Sequence, residues 1–224
     1  HLLTQVATTA ATTPDVAVTA VIQQALVAGD LTPREHLLDA GSVDAEVLVE
    51  SQQERGIEIV GPVPQDTSWQ ARMGQGYDVA HFAIAWEHQN VTCPQGQPSQ
   101  VWGKSQDLFG NPVIHVRFAP AACSACPVRS QWTQATRGPQ ALKLRSQKQH
   151  DALPQGRQYQ TTTEFTARYR VRAGVEGALA QGTGAFGLRR TRYIGQAKTH
   201  LQHLLTAVAL NLARFVAWVQ GVPL

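Results

Sequence analysis

The residues best suited to chemistry stand in Tyr169-Arg170-Val171-Arg172-Ala173-Gly174-Val175-Glu176. Read as a helix, Tyr169, Arg172, Glu176 and Thr183 fall at i, i+3, i+7 and i+14, which is one face. That face sets a carboxylate beside a guanidinium and a phenol, in a segment otherwise almost free of acids. Such a setting suits a metal-dependent enzyme acting on phosphates, in which ions held by converging carboxylates activate the nucleophile and stabilise the leaving oxygen. One carboxylate is too few for that. Asp39 offers another, because it closes the apolar run His36-Leu37-Leu38 just before Gly41 lets the backbone turn. In open α/β sheets the carboxyl ends of strands are where ligands bind. Taken alone, Asp39 fits a turn or cap aspartate better than a ligand, and Glu176 fits equally a solvated acid paired with Arg172 at i−4.

The elements that must position these groups read as α/β units on a partly parallel sheet. Leu2 to Thr8 alternates like a strand. Thr12-Thr13-Pro14-Asp15 then caps a helix over Val16–Ala28, closed by Gly29-Asp30. A second helix is expected over Asp44–Arg55 and a buried strand over Gly56–Val60, ended by Gly61-Pro62-Val63-Pro64. From Gln65 to about Gln155, glycines and prolines punctuate short alternating runs. His81–Trp86 and Asn90–Cys93 look like the arms of a hairpin, and Val113–Phe118 like a further strand. Helical periodicity returns over Thr162–Gln181 and Gln196–Val219. The expected division is therefore 1–64, a β-rich insertion over 65–155, and C-terminal helices over 156–224. No internal repeat is visible.

A hydrophobic content of 43% and a charged content of 16% are those of a folded domain, not a disordered one. The net charge of +3 hides a gradient. Residues 1–60 hold nine acids against Arg34 and Arg55, for −7, whereas residues 157–224 hold nine basic residues against Glu164 and Glu176, for +7. The C-terminal part thus fits contact with nucleic acid, as well as it fits solvated basic helix faces. Leu204 to Val219 is short and carries Asn211 and Arg214, so a buried helix is expected rather than a membrane span. No signal peptide is seen, and three cysteines cannot form a complete disulfide set, which places the chain in a reducing cytoplasm. A first segment that begins in mid-strand suggests missing upstream sequence.

Cys93 and the Cys123-x2-Cys126 pair form a third constellation. Structural zinc wants four tetrahedral ligands, so three thiols make an incomplete site. His81, His88 or His115 could substitute, but spacing selects none of them. Zinc is possible, and substoichiometric loading is the expectation. His200 and His203 are given no role, and Trp69, Trp86, Trp102 and Trp218 are read as packing residues.

The spacing Tyr169-x2-Arg172-x3-Glu176 resembles the signature around the last catalytic glutamate of bacterial insertion-sequence transposases of the Asp-Asp-Glu type. Asp39-Ala-Gly-Ser42 resembles the element with the second catalytic aspartate, with serine where tyrosine is usual. Gly61-Pro-Val-Pro, Phe186-Gly-Leu-Arg-Arg, Tyr193-Ile-Gly-Gln-Ala-Lys-Thr and Leu201-Gln-His-Leu-Leu-Thr-Ala are also similar to that group. The resemblance runs over essentially the whole chain. It implies an α/β fold like ribonuclease H, interrupted by the insertion. It also implies cleavage and strand transfer at transposon ends with magnesium or manganese, in a homo-oligomer on double-stranded DNA. Asp39 and Glu176 would hold the metal, Tyr169 and Arg172 would lie beside the scissile phosphate, and Arg189, Arg190, Arg192 and Lys198 would contact the backbone.

The chain departs from that pattern in three ways. No acid before Asp39 occupies the strand expected for the first catalytic aspartate, since Asp15 begins a helix and Asp30 ends one. Thr183 stands where a lysine often follows the glutamate, and Trp132 where relatives carry a further cysteine. The expectation is a truncated catalytic domain, inactive alone, or else a non-catalytic remnant that only binds DNA.

Overall fold

Asp44 fixes where the helix over Ala45–Arg55 begins: its carboxylate accepts from the Val47 amide at 2.8 Å, satisfying a donor that has no partner within the helix. The computed structural model describes residues 2–74, 76–134 and 141–222. They form two units, His1–Pro64 with Gln155–Leu224, and Gln65–Pro154.

The first unit opens with α1 (Val16–Ala28), β1 (Glu35–Leu37), a 3-10 turn over Ala40–Ser42, α2 (Ala45–Arg55) and β2 (Glu58–Val60). β1 and β2 are parallel, with Glu35 opposite Glu58 and Leu37 opposite Val60. Val43, Ala45, Val47, Ile57, Val60 and Val63 are buried around them. The interface of α1 with α2 has a polar centre. Gln23, fully buried, accepts from the Ser51 hydroxyl at 2.9 Å and lies 3.3 Å from His36 Nδ1.

The second unit holds α3 (Trp69–Met73), the antiparallel pair β3 (Ala83–Ala85) and β4 (Asn90–Thr92), and the antiparallel sheet β5 (Ser99–Gln106), β6 (Pro112–Phe118) and β7 (Ala141–Leu144), with α4 (Pro120–Ser124) before β7. Its core is aromatic: Phe82, Phe118 and Trp132 pack with Val91, Val116, Cys123 and Leu144.

Helices α5 (Gln147–Tyr159), α6 (Thr163–Tyr169), α7 (Ala173–Ala185) and α8 (Gln196–Val219) follow. The expected helices over Val16–Ala28 and Gln196–Val219 form with those bounds. Three expectations need correction, the first that Leu204–Val219 is a buried helix, since Leu205, Val208, Leu212, Phe215, Trp218 and Val219 are exposed. Leu2–Thr8 is not a strand. Asn211 on α8 instead takes both backbone hydrogen bonds of Leu3, each at 2.7 Å, and Gln196 donates to the Thr8 carbonyl at 2.7 Å. The expected helix over Thr162–Gln181 is broken by a 3-10 turn at Arg170–Arg172. Strands β5 and β7 and helix α5 were not foreseen, because Gly103 and the charges of β5 and β7 dilute the alternation, and Pro154 and Gly156 lie inside α5. No helix among the described residues is long and apolar enough to cross a membrane.

Candidate active site

Asp39 lies two residues beyond the end of β1, with the extended backbone of an N-cap to the Ala40–Ser42 turn. The buried Ser42 hydroxyl donates to Asp39 Oδ1 at 2.6 Å, which fixes one of its two oxygens. Gly61, just after β2, supports this corner: a Cβ there would stand 2.6 Å from the Leu38 carbonyl oxygen and 2.8 Å from Val43 Cγ2. Only glycine allows so close an approach, which gives the Gly61-Pro-Val-Pro element a physical reason.

Glu176 reaches the same corner from the first turn of α7. Arg172 joins the two acids. Its Nη2 lies 3.8 Å from Asp39 Oδ2, and its Nη1 donates to Glu176 Oε1 at 3.3 Å. The guanidinium also sits 5.9 Å from the centroid of the Tyr169 ring. That ring stacks on buried Phe165 at 5.3 Å, with an interplanar angle of 12°. All four expected site residues of this constellation therefore meet. The 3-10 turn matters here, because it places Arg172 three residues beyond Tyr169 at the tighter pitch that stacks i over i+3.

Arg168, a turn earlier, was not singled out from the sequence. It donates to Glu58 at 2.7 Å and to the Tyr159 hydroxyl at 2.6 Å, and it pairs with Glu35 at 3.1 Å. Glu35 and Glu58 are opposite each other on β1 and β2. One arginine thus ties α6 to the amino ends of both strands while Arg172 meets the corner beyond their carboxyl ends. These contacts raise the Arg168 pKa, chiefly through Glu58, and hold the Glu58 carboxyl below the usual carboxylate range. No local spacing in the sequence reports these ties, since Glu58 lies 110 positions away.

The Thr183 hydroxyl donates back to the Ala180 carbonyl at 3.0 Å. Arg189, Arg190, Arg192 and Lys198 are all exposed, and none pairs with an acid among the described residues. Gln202 on α8 holds their loop, donating to the Arg190 carbonyl at 2.8 Å and accepting from the Arg192 amide at 2.9 Å. The result is a fixed backbone carrying free cationic side chains.

Cys93, Cys123 and Cys126 line one cavity of about 340 Å³ together with Gln95, Gln97 and Trp132. None of the three forms a disulfide among the described residues. Among the described residues, no three or more His, Cys, Asp or Glu side chains gather closely enough to hold a metal ion.

No curated protein and no solved structure matches this chain. A family profile does match: that of the transposase DDE domain, over residues 92–216. The match takes in Tyr169, Arg172, Glu176 and the basic loop, and begins after Asp39. It covers more than half of the 224 residues, so this α/β chain belongs to the transposase DDE domain family.

Proposed function

We propose that this chain cleaves and transfers DNA strands at transposon ends on a ribonuclease H-like frame, with Asp39 and Glu176 as its metal-holding carboxylates. The observation that carries the reading is Arg172, which is within reach of two acids 137 positions apart in sequence. Membership of the family supports DNA as the substrate. A parallel strand pair with Asp39 just past one carboxyl end, faced by a helical column bearing Glu176, supports the frame.

The donor set suits one magnesium or manganese ion. Magnesium takes one or two carboxylates and completes its octahedron with water and substrate phosphate, and both acids are open enough to serve, Asp39 being 45% exposed and Glu176 71%. A bound ion would polarise a phosphodiester oxygen and generate the attacking nucleophile. The rest falls to the chain. Ser42 orients Asp39. Tyr169 supports the Arg172 stem, so the guanidinium can turn from the two carboxylates to a phosphate in a bidentate contact. Arg189, Arg190, Arg192 and Lys198 would hold the DNA backbone without reading its sequence.

Two ions would need a third carboxylate from beyond the described residues, so the chain alone is expected to nick DNA poorly. The test is magnesium- or manganese-dependent nicking, with and without a segment that supplies an aspartate-bearing strand. Asp39→Asn and Glu176→Gln should each abolish the supplemented activity and leave DNA affinity intact. Strong cleavage by the 224 residues alone would show that no further acid is needed. A second reading, a non-catalytic binder derived from such an enzyme, is favoured by the absence, among the described residues, of a third acid gathered with these two. In that case no supplement restores nicking, and Asp39→Asn leaves binding unchanged or tighter.

A further inference from the structure

Leu108 and Phe109 stand at the tip of the β5–β6 hairpin with 95% and 89% of their surface exposed. Packing within the chain gives them no role. The turn beneath them is firmly built. Asp107 Oδ1 accepts from the Phe109 amide at 2.8 Å and the Asn111 amide at 2.9 Å, and its Oδ2 accepts from the Asn111 side chain at 3.0 Å. Gly110 closes the turn in the left-handed region at φ 85°, a conformation that suits glycine. The tip thus presents two large apolar side chains on a backbone that does not need to reorganise.

The sheet behind the tip is basic. Strands β5, β6 and β7 contain no acid. Val116, Phe118 and Leu144 face the core, so the alternate positions Arg117, His115 and Lys143 lie on the opposite face, where Gly103, His115 and Lys143 align across the three strands. Exposed Lys104 lies towards the tip end of β5, and Arg145 is close enough for its charge to act on Asp107. The single acid at the tip, Asp107, is spent on the turn. An apolar pair flanked by exposed cations is complementary to stacked bases between phosphates, and apolar side chains inserted between base steps are a known way to unstack and kink a duplex.

We propose that the β5–β6 hairpin is a DNA wedge, in which Arg117, Lys143 and Arg145 hold phosphates while Leu108 and Phe109 enter the base stack. This rests on the reading that the chain handles DNA. The test uses the full chain and a duplex carrying the fluorescent base aminopurine at flexible pyrimidine–purine steps. Wild type should raise the aminopurine signal as bases unstack. The double variant Leu108→Ser/Phe109→Ser should lose that rise and about tenfold in affinity, keep the salt dependence of binding, and keep the thermal midpoint, since the tip packs on nothing. Arg117→Gln/Lys143→Gln should do the reverse, lowering the salt slope by about two. Retention of the fluorescence rise in the tip variant overturns the wedge while leaving DNA binding intact. Failure of the wild type to bind duplex at all overturns the DNA reading, and the wedge with it. Concentration-dependent dimerisation that the tip variant abolishes, with the fluorescence rise unchanged, would assign the tip to a second copy of the chain instead.

Discussion

In residues 65–154 cohesion comes from aromatic rings. Phe82, Phe118 and Trp132 meet with centroids 5.2 to 5.9 Å apart, and no buried polar residue is found among the described residues of this unit. In residues 1–64 and 155–222 the pattern inverts. Thr19, Gln23, Ser42, Ser51, Thr206 and Arg214 are all buried there, among mostly small apolar side chains. Long-range ties are made by Arg168 to Glu35 and Glu58, Arg172 to Asp39, and Asn211 to Leu3. Meanwhile Leu201, Leu205, Val208, Leu212, Phe215 and Val219 leave an apolar stripe of α8 exposed. The insertion is therefore held by a closed core that does not depend on charge. The unit with the candidate site is held by directional contacts, which give it geometry at the expense of cohesion.

The sharpest way to break that contrast is inside the aromatic cluster. Trp132→Ala removes the ring that contacts both Phe82 and Phe118 and is expected to cost about 3–5 kcal/mol. The loss should be confined to residues 65–154, where amide exchange would rise while the helical unit keeps its protection. Equal loss of protection in both units would show that the two cores are energetically one.

Arg168→Met is the corresponding cut in the other unit. Its carboxylate partners are exposed by more than a third, so screening limits the cost to about 1–2 kcal/mol. The expected signature is geometric: α6 loosens from the strand pair, and metal- or DNA-dependent signals from the Arg172 corner weaken more than stability does. Arg168→Lys restores charge but not the fork that reaches Glu58, Glu35 and Tyr159 together, so it should recover only part of the effect. A variant as stable as wild type with an unaltered corner would remove Arg168 from the positioning role.

The sequence disclosed one of these two ways of holding together better than the other. Helices α1 and α8 and the strand–turn–helix–strand arrangement around Asp39 were readable, because Asp44, Gly56 and the Gly61-Pro-Val-Pro element punctuate them. The pairing of Arg172 with Glu176 was readable too, since i to i+4 spacing on a helix gives it, whereas the 3-10 turn that sets Arg172 against Tyr169 was not. Arg168 was not. Its meaning rests on Glu58, 110 positions away, and no local pattern reports that. Leu2–Thr8 misled for a related reason: its alternation is real, yet its hydrogen bonds go to the Asn211 side chain and not to a neighbouring strand. Thiol spacing suggested a metal knuckle without showing whether the three sulfurs converge.

A gentler probe uses protons. Burial pushes the His36 pKa below its ordinary value of 6.5, and the neutral ring, with Nδ1 unprotonated, accepts from the Gln23 amide. A lowered histidine pKa means the unfolded chain binds the proton more readily. The helical unit should therefore lose stability as pH falls below about 6.5, and the loss should level off below the folded-state pKa. His36→Asn should flatten this dependence. The insertion, with no comparable group in its core, should show none of it, and a parallel decline there would mean the acid sensitivity is general.

The smallest expected effect runs in the opposite direction. Burial, and after it the charges of Glu46 and Glu54, raises the Glu50 pKa on α2. A carboxyl whose folded pKa is raised opposes folding once it is ionised, so the fold is relieved as pH falls and strained at neutrality. Glu46, Glu50 and Glu54 repeat at i, i+4 and i+8, and like charges at that spacing cost a helix about 0.2–0.5 kcal/mol per pair. Glu50→Gln keeps the shape and removes both repulsions, so it should stabilise the chain at pH 7 by a few tenths of a kcal/mol, a gain that fades as pH falls and the acid takes up its proton. Added salt should shrink the part of the gain that comes from the Glu46 and Glu54 charges, whereas the cost of Trp132→Ala should not change. Gain and cost that respond to salt alike would erase the distinction between a unit held by charge and one held by rings.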